Sequence, residues 1–178
     1  MDWIISLEEQ IALFASYGAV YIYIFLFLSS GAENVFPPWP GDTITLVGTY
    51  FAFAGDLSLP VVFTLVNFGG LAGAYVLYIL GRTKGRAYFM APGRTYFDAK
   101  NLGKVERWVD KYGNWVIVGA RFFTGVRSLI AVVAGLGNVN PLKFSVLTMI
   151  GFIIWNSLLM TLVFLLKENF EVISRYLS

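Results

Sequence analysis

The run Pro37-Pro38-Trp39-Pro40-Gly41 constrains this chain more than any other. It separates two apolar stretches, about 18–32 and 43–55, and neither has the roughly 20 residues that a membrane-spanning helix needs. Proline removes a backbone donor and clashes with the preceding helical turn, so this run forbids a continuous helix. Two half-length helices joined by such a break describe a re-entrant hairpin. Broken backbone at membrane depth is tolerated only where protein buries it or where it lines a wet cavity. The break must therefore face inward, and a charge stands at each side of it: Glu33 before and Asp42 after.

Composition makes the bilayer the relevant solvent. Of the 178 residues, 57% are hydrophobic and only 13% charged, and the mean hydropathy is +0.68. A soluble domain carries about 25% charged residues. The chain is an all-α integral membrane protein read as one membrane domain, 1–178. It has no cysteine, which excludes a disulfide framework, an iron–sulfur cluster and a thiol nucleophile. It has no histidine, which removes the commonest general base and metal ligand and any phosphohistidine intermediate. Neither an enzyme, a metal site nor a cofactor is expected, and nothing indicates a nucleic-acid partner. The N-terminus has Asp2, Glu8 and Glu9 but no Lys or Arg before its apolar residues, so it is not a signal peptide. It reads as a short interfacial helix anchored by Trp3.

Apolar stretches recur at about 60–80, 114–137 and 141–166. The first and last are long enough to span. Arg121, Gly125, Arg127, Gly135 and Gly137 interrupt the middle one, which reads as a second hairpin turning near Thr124-Gly125. Between the two halves, residues 82–111 hold eight of the thirteen basic residues against three acids, a local net charge of +5. The positive-inside rule makes this segment cytoplasmic. Its second half has Leu102, Val105, Trp108 and Val109 on one helical side, which suits an interfacial helix or an ordinary loop.

The two halves look duplicated. Tyr17-Gly18 and Tyr112-Gly113 open them; Pro60 and Pro141 precede their full spans. Phe63 and Phe144 follow each proline by three residues, Gly70 and Gly151 by ten. Repeat one covers about 17–81, with hairpin 18–56 and span 60–80. Repeat two covers about 112–166, with hairpin 114–137 and span 141–166. One crossing per repeat inverts the second copy, and inverted repeats with broken helices at the midplane mark transporters.

Charge inside the membrane is expensive, about 2.5–3.5 kcal/mol per residue on insertion scales. The first half nonetheless carries Glu33 and Asp42, the second Arg121 and Arg127. On continuous helices neither pair would share a face; the breaks let each pair converge. A carboxyl in a low-dielectric site can exchange a proton near neutral pH, so Glu33 and Asp42 are candidate proton-handling groups. Asp42, just after Pro-Gly, also suits a helix N-cap. Arg121 and Arg127 are candidate phosphate ligands, because guanidinium stays charged and forks onto phosphate; they could equally neutralise the two acids. Arg82 reads as a snorkelling residue, Asn67 and Asn156 as interhelical glue, Gly69, Gly70 and Gly73 as close-packing positions, and Trp39, Trp115 and Trp155 as interface anchors.

The run E-x-x-F-P-P-x-P-G-D, then G-R-x-x-G, then R-F-x-x-G-V-R, A-G and a later Trp-Asn pair resembles the DedA family of VTT-domain membrane proteins, over about residues 15–160. Two positions depart from its pattern: Thr124-Gly125 stands where Pro-Gly is usual, and Ala131 where a proline is common. The resemblance implies two opposed re-entrant hairpins in a bacterial inner membrane. It implies transport of undecaprenyl phosphate or a phospholipid, dependent on the proton motive force. Its acidic pair falls on Glu33 and Asp42, its arginine pair on Arg121 and Arg127. The expected function is proton-dependent translocation of an anionic, phosphate-bearing lipid, with membrane lipids and protons as partners. A proton-coupled cation or small-solute antiporter and a passive lipid scramblase stay open as alternatives, as does the oligomeric state.

Overall fold

The computed structural model describes the backbone of residues 2–36, 38–89, 99–123 and 126–177. It describes side chains within 18–36, 38–85, 103–109, 111–123 and 126–167. Every regular element among these residues is helical: α1 (Asp2–Val35), α2 (Gly41–Ala54), α3 (Leu59–Phe89), α4 (Ala99–Tyr112), α5 (Val116–Gly119), α6 (Val126–Leu136) and α7 (Pro141–Leu177). Short 3-10 turns, Gly113–Trp115 and Ala120–Phe122, flank α5. Three helices are long and apolar enough to cross a membrane, over Gly18–Val35, Leu59–Gly85 and Pro141–Lys167.

Pro60 and Pro141 sit in the first turns of α3 and α7, where a missing N–H breaks no helical bond. The Pro-rich run separates α1 from α2, as the sequence requires. Three boundaries differ from expectation. The backbone of α1 runs unbroken through Gly18, so the interfacial helix foreseen before it and the first hairpin arm are one element of 34 residues. A glycine inside a helix costs about 1 kcal/mol, too little to end one by itself. The arm over 18–35 is also long enough to be a candidate span rather than a half-length helix. Third, α3 runs on past residue 80, with one non-helical residue at Gly85 (φ 71°). The Trp3 side chain, the Thr124-Gly125 turn and part of segment 82–111 lie outside what the structure describes.

The spans pack through small residues, as membrane helices do. A Cβ at Gly69 would strike the Phe27 carbonyl, and one at Gly73 the Gly31 carbonyl, so α3 lies directly on the α1 backbone. Ser30 Oγ donates to the Val66 carbonyl across this seam (2.7 Å). Between α3 and α7, Tyr78 stacks on Phe144, Gly70 faces Phe152, and Asn156 Nδ2 donates to Asn67 Oδ1 (3.2 Å). These pairs ascend α3 as they descend α7, so the two spans are antiparallel. Asn67 and Asn156 are the interhelical glue anticipated for them.

α4 is a helix that docks on protein. Val105 is 2% exposed within the cluster formed by α3, α6 and α7, and Val109 packs against it. Lys104 lies over the Trp108 ring, which also meets Phe123. Of the apolar side seen in the sequence, Val105, Trp108 and Val109 thus pack on protein rather than on lipid headgroups alone.

Candidate functional site: a buried ring of four charges

Glu33 sits in the last turn of α1, Asp42 in the first turn of α2, Arg121 in the turn Ala120–Phe122 and Arg127 at the start of α6. The structure brings all four together. Arg127 Nη2 donates to Glu33 Oε1 (2.5 Å) and Nη1 to Asp42 Oδ2 (3.4 Å). Arg121 Nη2 is shared between Glu33 Oε2 (3.3 Å) and Asp42 Oδ1 (3.1 Å). Each guanidinium bridges both carboxylates, so the pairs form a closed ring with no formal net charge.

Local features hold the ring in register. Trp39 Nε1 donates to Ser29 Oγ (2.8 Å), tying the Pro-rich turn to α1. Gly41 lies so close to Glu33 that an added Cβ would meet Oε2 at 2.5 Å and the Glu33 Cβ at 2.7 Å. Only glycine lets the chain turn back at that distance. On the other side, Ser128 Oγ donates to the Asn34 carbonyl (2.5 Å). This fastens the residue after Arg127 to the residue after Glu33. The expected capping role of Asp42 is not observed: Pro40 is the N-cap of α2, without a side-chain cap bond, and the Asp42 carboxylate is turned to the arginines.

Two site residues went unrecognised in the sequence. Trp155, taken for an interface anchor, donates its indole N–H to Asp42 Oδ1 (2.9 Å). Phe152, one turn earlier on α7, places its ring 4.3 Å from the Arg121 guanidinium carbon, a cation–π contact. Trp155 lies midway along the apolar stretch 141–166. An indole N–H that far from either interface needs a partner inside the protein, and this was the available signal. Trp39 likewise bonds inward, while Trp115 is exposed.

Burial distinguishes the four members. The side chains of Glu33, Arg127 and Arg121 are 2%, 4% and 5% exposed; Asp42 is 28% exposed. The ring therefore has one open corner. From one turn beyond Asp42, α2 and α7 flank an apolar groove of about 690 Å³, lined by Leu46, Val47, Tyr50, Phe51, Leu162 and Leu166. Lys167 closes its far end, its Nζ donating to the Phe53 carbonyl (2.6 Å). The described residues hold no group of three or more metal-ligating side chains.

A ring of neutralised charges buried among helices long enough to cross a bilayer defines a multi-pass membrane protein with a polar core site. Residues 38–165 match the model of the VTT domain, and the chain belongs to this family, that of the DedA membrane proteins. It is 31% identical over 161 residues to Protein DedA of Escherichia coli strain K12, covering 87% of this chain and 73% of that one. It is 29% identical over 175 residues to Undecaprenyl phosphate transporter A of Staphylococcus aureus, covering 94% and 83%. It is 32% identical over 152 residues to an "Alkaline phosphatase-like protein" of Lactococcus lactis subsp. cremoris, covering 82% and 71%. No solved structure matches the chain.

Proposed function

We propose that this protein translocates an anionic, phosphate-bearing lipid across a bacterial inner membrane, in a proton-dependent way. The observation that carries this reading is the closed ring itself. Both arginines are already committed to carboxylates, in the bidentate-capable geometry that phosphate also satisfies. Protonating Glu33 or Asp42 removes a competing charge and frees guanidinium for a phosphate. Proton release afterwards restores the ring and expels the headgroup. Arg121 and Arg127 hold the phosphate, and Glu33 and Asp42 exchange the protons.

The apolar groove between α2 and α7, one turn beyond the open Asp42 corner, supports a substrate whose tail stays in lipid. The relative named Undecaprenyl phosphate transporter A supports a polyprenyl phosphate as one candidate, with phospholipids as the other. The antiparallel packing of α3 on α7 supports an inverted duplication, with α1–α2 and the segment 113–136 as its two hairpins. The basic excess of 82–111 supports a cytoplasmic location for that segment. A catalytic role has no support from the ring: it offers neither cysteine nor histidine, and both its carboxylates are paired with arginine.

The test uses purified protein in liposomes containing a labelled phospholipid or polyprenyl phosphate, with and without a pH gradient. The expected result is lipid movement that the gradient accelerates and that Arg127→Ala abolishes. Movement by Arg127→Ala at the wild-type rate would sink the headgroup role. Cation-driven proton flux without lipid movement would replace this reading with an antiporter.

A further inference from the structure

Against the two arginines, and not lined by Asp42, lies a small cavity of about 20 Å³, room for one water. Arg121, Arg127 and Thr148 line it. Among the described residues, Arg121 Nε and Nη1, Arg127 Nε and Thr148 Oγ1 are buried without a hydrogen-bond partner. The two arginines are 6% exposed and Thr148 8%. A buried donor left without a partner is destabilising, more so when it belongs to a charged group. The residues that carry these atoms border a space of this size, which describes a hydrated site: one water accepts from two of the guanidinium N–H groups and donates to the threonine hydroxyl.

A second, larger pocket opens nearby, about 690 Å³ in volume, with Arg82, Glu106, Asn114 and Asn138 in its wall. It lies at the end of α3 that leads into the basic segment 82–111. Ile117 of α5 and Ile130 of α6 line both spaces. They are 5% and 2% exposed. Two isoleucine side chains thus border both the polar vestibule and the arginine-lined cavity.

We propose that the inner cavity binds a single water, that this water exchanges with the Arg82–Glu106 vestibule, and that Ile117 and Ile130 form an apolar gate across the path. The ring is then reached from two directions by two kinds of molecule. Anything on the lipid side meets Asp42 and the α2–α7 groove, while water arrives against the arginines. Such a constriction gates by wetting and drying rather than by moving a charged group. The inference rests on the proposed transport only for its purpose; the hydrated site stands on the unpartnered atoms.

Hydroxyl-radical labelling by X-ray pulses tests it in the full chain without any lipid substrate, because radiolysis of an ordered water oxidises the side chains beside it. Phe152 lines the cavity and is 2% exposed. It is expected to be oxidised in the wild type, and several-fold less in Thr148→Val, which keeps the shape and loses the hydroxyl. With rapid mixing into H₂¹⁸O, the ¹⁸O share at Phe152 is expected to rise faster in Ile130→Ala and Ile117→Ala than in the wild type. Ile130→Val, which removes one methyl group, covers the case in which the alanine variants fail to fold, and should fall between. A Phe152 as unreactive as Leu26, equally buried in the other core cluster, would overturn the hydrated site. Equal ¹⁸O uptake in wild type and gate variants would overturn the gate. Lipid transport with a dry cavity would remove this path alone; a labelled cavity without lipid transport would remove only the proposed substrate.

Discussion

The two hairpins reach the same ring by different routes. In the first, three prolines lie in the connecting run, and the arms on either side are regular: α1 continues to Val35 and α2 starts at Gly41. In the second, no proline marks the turn, and the arm before it alternates between 3-10 and α geometry over 113–122. A strong helix breaker confines irregularity to one place. Without one, glycine and the need to aim two arginines inward spread it along the arm. The acids hang from regular helix ends, whereas Arg121 is presented from a 3-10 turn and Arg127 from the first turn of α6.

The largest effects should come from the ring, and they should follow burial rather than hairpin. Glu33→Ala leaves two arginines short of a partner in a site with almost no exposure. It should cost about 3–5 kcal/mol, the usual penalty for breaking a buried pair. Asp42→Ala removes the exposed corner, where water replaces part of the lost interaction, and should cost about 1–3 kcal/mol. Chemical unfolding in detergent compares the two, and equal losses would contradict the one-cornered ring. Gly41→Ala comes next. Its methyl group must displace the Glu33 side chain, an overpacking expected to cost about 1–3 kcal/mol and to slow transport. A neutral outcome in both assays would mean that the first hairpin is less rigid than its regular arms imply.

The hairpin contrast also predicts dynamics. Amides of 113–122 should exchange with D₂O faster than those of Ile44–Phe51, because 3-10 bonds are poorer than α-helical ones. Mass spectrometry of the exchanged peptides reads this directly, and equal protection would erase the distinction. The smallest expected effect is that of Trp155→Phe. It keeps the aromatic contact with Phe122 but loses the N–H bond to Asp42. Transport should fall several-fold while stability changes by about 1–2 kcal/mol.

Much of this was legible because the informative residues are costly ones. Glu33, Asp42, Arg121 and Arg127 stand out in an apolar chain, and the Pro-rich run dictates that the first hairpin folds back. Asn67 and Asn156 were readable as interhelical glue for the same reason. Other features were not. The apolar side of α4 fits lipid headgroups and protein equally well, since both bury it. The continuity of α1 past Gly18 was not legible because a single glycine is too weak a helix breaker to decide a boundary either way. Asp42 carries the sequence marks of a capping residue, and only the arrival of three donors from the other half of the chain turns it away. Phe152 has no polar group to betray it; its place under Arg121 follows from the helical turn it shares with Trp155.

The neutrality of the ring has an electrical consequence. Two guanidiniums and two carboxylates sum to zero, so membrane voltage does no work on the empty site however it moves. A bound phosphate ester changes that sum. Each uncompensated elementary charge carried through the field is worth about 2.3 kcal/mol per 100 mV. One proton taken up per negative charge restores the sum to zero. Under the proposed transport, such a site senses voltage only when the lipid and the protons are out of step.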